Sequence, residues 1–111
     1  MFSIFDKIGE KAVEKIFLGM LEEFTIKDLD AAVANNVNLL DETAKCRPSA
    51  LALAERLAKQ FQGQEKHLNT ENVMKWIREK RFDFYMSIMK DRKRYIWLDR
   101  QVKEIRAFLF G

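Results

Sequence analysis

Cysteine, histidine and proline each occur once and glycine four times in 111 residues, and each scarcity removes a class of protein. With Cys46 alone there is no intramolecular disulfide, and a reducing compartment is the expected setting. With His67 as the only histidine, a zinc site of the usual Cys/His type cannot be assembled within one chain. A single proline, Pro48, and glycines only at 9, 19, 63 and 111 argue against a chain of many tight turns. No apolar run approaches the roughly 18 residues of a membrane span. Asp6, Lys7 and Glu10 interrupt the first segment, which no signal-peptide core tolerates, so the expected location is the cytoplasm.

Catalytic patterns are equally sparse. There is no glycine-rich phosphate loop, no G-x-S-x-G and no H-E-x-x-H. His67 lies in the polar stretch 64–69 without a nucleophile pattern and reads as a solvated loop side chain. Cys46 stands between Lys45 and Arg47, cations that lower a thiol pKa, yet no partner histidine is identifiable, and a buried or half-buried structural cysteine is the plainer reading. Carboxylates such as Glu22–Glu23 and Asp41–Glu42 are sequence neighbours that diverge on a helix. Neither an enzyme nor a cofactor is expected.

What is abundant is helical pattern. Leu, Ile, Val and Phe make up 33 of the 111 residues, enough for a core without metal or disulfides. The expected fold is one all-α domain, a compact bundle of about five or six helices framed by a C-terminal helical hairpin. In the first segment Phe5, Ile8, Ala12, Val13, Ile16, Phe17, Met20 and Phe24 share one side, and Ser3 with Asp6 makes a capping box. Its mixed outer charges count against a membrane-surface helix. Thr25 and Asp28 form a second capping box. Apolar spacing then continues from Ile26 to Leu40 across Asn35-Asn36, which are poor helix formers and good left-handed residues. Residues 26–44 therefore fit one helix or two. A helix-turn-helix reading fails because its second helix, Leu39-Leu-Asp-Glu-Thr-Ala-Lys, is acidic and would repel phosphate. Pro48 opens the next helix, whose Ala50, Leu53, Ala54, Leu57 and Phe61 face reads as central and buried.

From Thr70 onwards apolar residues recur at Val73, Ile77, Phe84 and Ile88, widened by Trp76 and Tyr85, as in one amphipathic helix. After Lys90-Asp-Arg-Lys-Arg94 a second helix carries Tyr95, Leu98, Val102, Ile105 and Leu109 in heptad steps. The span from Lys75 to Arg106 holds 11 Lys and Arg against 5 Asp and Glu, a net of +6, while the rest of the chain is −3. The two halves can serve as each other's counter-charge, or the basic half can meet an anion.

Two functions follow. The first is a non-enzymatic protein-interaction module, self-associating as a homodimer through the last helix with Ile96, Trp97, Leu98, Val102, Ile105, Phe108 and Leu109. In that form Trp97→Ala or Ile105→Asp gives a stable monomer. The second is a nucleic-acid-binding protein that contacts phosphates through Arg78, Lys80, Arg81, Lys90, Arg92, Lys93 and Arg94, with Tyr85, Tyr95 or Trp97 available to stack on bases.

Overall fold

The computed structural model describes residues 4–111, the side chain of Phe5 excepted. The Ser3–Asp6 capping box and the core position expected of Phe5 lie outside the described residues. Among those residues the order is α1 (Ile4–Leu21), α2 (Ile26–Asn35), α3 (Leu39–Cys46), α4 (Pro48–Gln60), a 3-10 turn (Glu65–His67), α5 (Thr70–Lys80), α6 (Phe82–Lys90) and α7 (Arg92–Phe110). The bundle is all-α, with seven helices where the pattern suggested five or six.

Both extra helices arise at single-residue devices. At the first, Asn36 takes a left-handed conformation (φ 56°, ψ 43°) and ends α2, while Val37 N donates to Ala32 O at 2.9 Å. Residues 26–44 are thus two helices. The second break is at Arg81, which leaves helical conformation (φ −140°, ψ 65°) and divides Thr70–Met89 into α5 and α6. Periodicity carries no sign of it, because the seven-residue step from Ile77 to Phe84 stays in phase with an unbroken helix.

Caps elsewhere follow the local chemistry. Thr25 Oγ1 accepts from Asp28 N at 3.1 Å and Asp28 Oδ2 from Thr25 N at 2.9 Å, the capping box read in the sequence. Pro48 stands in the first turn of α4. Asn69 caps α5, its Oδ1 accepting from Asn72 N, and Asp91 caps α7, its Oδ1 accepting from Lys93 N. The C-terminus of α1 has no basic residue in its last turn and borrows two from far along the chain. Arg47 Nη1 donates to Gly19 O at 2.7 Å, and Arg81 donates to Leu21 O and Phe24 O. These guanidinium groups serve carbonyls at and just beyond the helix end, where intrahelical donors run out; Leu21 O also accepts from Phe24 N at 3.0 Å.

The core lies between α1 and α7. Val13, Ile16, Phe17, Met20 and Leu21 of α1 are buried, as are Trp97, Leu98, Val102 and Ile105 of α7. Ile8, assigned to the inner side of α1, is instead about half exposed, near the edge of the bundle. The fourth helix is not central either. It packs on α1, α3 and α7 by one side only, so Ala54 and Ala58 are buried while Leu53 faces outward. A polar anchor ties α7 to α3: buried Gln101 accepts from Leu39 N at 2.7 Å and donates to Trp97 O at 3.1 Å. No helix among the described residues is long and apolar enough to cross a membrane.

Candidate interaction surface on the sixth and seventh helices

Six of the nine residues of α6, Phe-Asp-Phe-Tyr-Met-Ser-Ile-Met-Lys, are apolar and span more than half of its circumference, with Asp83, Ser87 and Lys90 on the rest. An apolar arc that wide is more than one neighbouring helix ordinarily covers. Here only one side is covered. Phe84, Ser87 and Ile88 face the core, while Phe82, Tyr85, Met86 and Met89 share the opposite side at steps of three, one and three residues. Phe82 is 58% exposed and Met89 59%. Phe82 stacks on Tyr85 with ring centroids 6.0 Å apart, and the Arg78 guanidinium lies 5.7 Å over the Tyr85 ring. Towards its C-terminus this stripe runs into an open groove of about 540 Å³ between α6 and α7, lined by Ile88, Met89, Arg92, Tyr95 and Ile96.

The last helix contributes less surface than its sequence suggests. Trp97 is 3% exposed; its Nε1 donates to Val37 O at 2.8 Å and its ring stacks on Phe24 at 6.1 Å. Leu98, Val102 and Ile105 are buried in the same monomeric core, and Leu109 is half-buried against it. Of the seven residues read as a contact seam, only Ile96 (54% exposed) and Phe108 (53%) face outward. Twelve residues apart, they stand on different sides of the helix, separated by about 18 Å along its axis. The heptad pattern marks the face that α7 turns towards its own chain.

The basic residues divide in the same way. Arg81 caps α1, pairs with Asp83 at 3.2 Å and lies 4.7 Å over the Phe84 ring. That guanidinium holds the Asp83 carboxyl below the usual carboxylate range. Arg94 donates to Ser87 O and Oγ and pairs with Asp30 at 2.8 Å. Lys80 pairs with Glu14 at 3.6 Å, and Arg78 is held over Tyr85. Lys90, Arg92 and Lys93 have no ion pair among the described residues, and they surround the short connection from α6 to α7 next to the groove.

The remaining candidates are settled by their surroundings. His67 is buried, not solvated, because the 3-10 turn packs on α1; Asn72 Nδ2 donates to its carbonyl at 2.9 Å. Cys46 is exposed, against a buried or half-buried position, and its Sγ hydrogen-bonds Glu42 Oε1 at 3.4 Å. That carboxylate pushes the thiol pKa up, overriding the lowering by Lys45. Thr70 donates to Asp99 at 2.6 Å and, with Lys103, holds the Asp99 carboxyl low. A second open groove, of about 610 Å³ beside α1, is bordered by Leu18 and Leu53 but crossed by the ion pairs Lys11–Glu14–Lys80. No group of three or more His, Cys, Asp or Glu among the described residues is arranged to hold a metal ion. No protein-family model, curated protein or solved structure matches the chain.

Proposed function

We propose that this protein is a non-enzymatic helical interaction module that engages another protein chain through the outward side of α6 and the groove that α6 forms with α7. One observation carries the reading: α6 is apolar on both sides, and only the inner side has a partner. Exposed large side chains at that density, continuous from Phe82 to Ile96, match a protein interface better than ordinary surface. Methionines suit such a face because their flexible, polarisable side chains adapt to the shape they meet. Ile96 stays in the proposed contact; Trp97, Leu98, Val102 and Ile105 leave it for the core. The raised thiol pKa of Cys46 is opposite to what a nucleophile needs and supports the non-enzymatic reading. The cytoplasm suits an exposed, unpaired thiol.

The test is photo-crosslinking in intact cells from a benzoylphenylalanine placed at Met89, with exposed Lys59 on α4 as control position. Protein adducts of discrete mass from position 89, absent from 59 and lost in an Ile96→Glu background, are the expected result. An adduct of twice the protomer mass identifies a homodimer; another mass identifies a different protein. No adduct from 89, or adducts that nuclease removes, would refute the reading.

A further inference from the structure

We infer that the occupant of the α6–α7 groove is an acidic amphipathic helix of another protein, an inference that rests on the interaction reading above. Three observations converge. The site is a trough between two helices, floored by Ile88, Met89 and Ile96, and such a trough accepts the apolar ridge of a third helix. Arg92 lines the trough, Lys90 and Lys93 flank the same connection in the chain, and none of the three has an ion pair among the described residues. Asp30 and Asp91 are already committed to Arg94, at 2.8 Å and 4.0 Å. A partner with Glu or Asp flanking its apolar ridge would supply the missing counter-charges.

The same charges argue against a second copy of this chain. Two-fold pairing of like surfaces would set the three cations of one protomer near the same three of the other. The groove beside α1 differs in that carboxylate–lysine pairs, Lys11–Glu14 and Lys80–Glu14, cross it. A membrane surface is the weaker fit, because Met89 and Ile96 line a concave trough rather than a projecting edge.

The test is selection of displayed 16-residue helical peptides on the 111-residue chain, followed by anisotropy titration of the leading sequence. Enriched peptides are expected to carry net negative charge and apolar residues at i, i+3 or i+4, and i+7. Affinity is expected to fall by about tenfold or more in the Lys90→Glu/Arg92→Glu/Lys93→Glu variant, the sum of three exposed ion pairs. It should fall comparably in Met89→Glu, and a peptide with Lys in place of its acids should recover affinity for the charge-reversed variant. If Met89→Glu abolishes binding and charge reversal does not, the interaction surface stands and the acidic partner is wrong. If neither substitution matters, or no peptide is enriched, the acidic helix is overturned, and crosslinking from position 89 decides the interaction reading separately. Charge-dependent binding of phosphatidylserine vesicles or single-stranded RNA, tighter than that of any selected peptide, would overturn the inference in favour of that ligand.

Discussion

At the scale of single residues, two arginines of equal formal charge do opposite things. Arg81 is half-buried with its guanidinium divided between Leu21 O, Phe24 O and Asp83, whereas Arg92 borders an open groove without an ion pair among the described residues. Arg81→Met removes the side-chain donor to Phe24 O, leaves Leu21 O with Phe24 N as its remaining donor, and should destabilise the protein by about 1–2 kcal/mol. Arg92→Met should stay within about 0.5 kcal/mol of the parent. Urea denaturation midpoints of the two variants check this, and equal midpoints would contradict it. The sequence offers no means of telling these arginines apart, because the acceptors of Arg81 lie 57 and 60 residues away. Devices closed within three or four residues were readable by contrast: the Thr25–Asp28 box, the left-handed asparagine and the proline opening α4 all depend on local backbone chemistry.

At the scale of elements, periodicity locates helices well and assigns their faces less well. Along α7, Leu98, Val102 and Ile105 point into the core as their spacing implies. Trp97 lies off that stripe and is buried all the same, because Val37, in the turn between α2 and α3, accepts from its indole N–H on a second side. Trp97 is thus held by its own chain on two sides. Trp97→Ala should therefore destabilise the fold by about 3–5 kcal/mol instead of yielding a stable monomer. Thermal unfolding checks it, and an unchanged midpoint would return Trp97 to the surface. The fourth helix shows the converse: its alanine-rich pattern looks central, but it touches the bundle along one side, so Leu53 remains outside.

At the scale of the whole molecule, the charge asymmetry is in part internal. Lys75 pairs with Glu10, Lys80 with Glu14 and Arg94 with Asp30, which ties the basic half to the acidic one. Exposed pairs of this kind contribute at most about 1 kcal/mol each, so they trim the surface charge more than they hold the fold. Among the cations without an ion pair in the described residues, Lys90, Arg92 and Lys93 cluster where α6 meets α7, beside the exposed apolar side of α6. An uncovered apolar face and uncompensated charge at the same place are the basis for assigning recognition to α6 and the start of α7. That coincidence was invisible in the sequence, since the pattern through Arg81 read as one long helix with a single inner face.

On the proposed function, α6 has an inner side that belongs to this protein and an outer side that meets another. Adjacent residues separate the two: Ile88 is buried and Met89 is exposed. The decisive measurement is the urea unfolding free energy of Ile88→Glu and Met89→Glu. A buried charge at 88 should unfold the protein or cost at least about 3 kcal/mol, whereas Met89→Glu should change stability by no more than about 0.5 kcal/mol. Comparable losses in both would mean that the outer side of α6 is part of the core, and the proposed recognition surface would not exist.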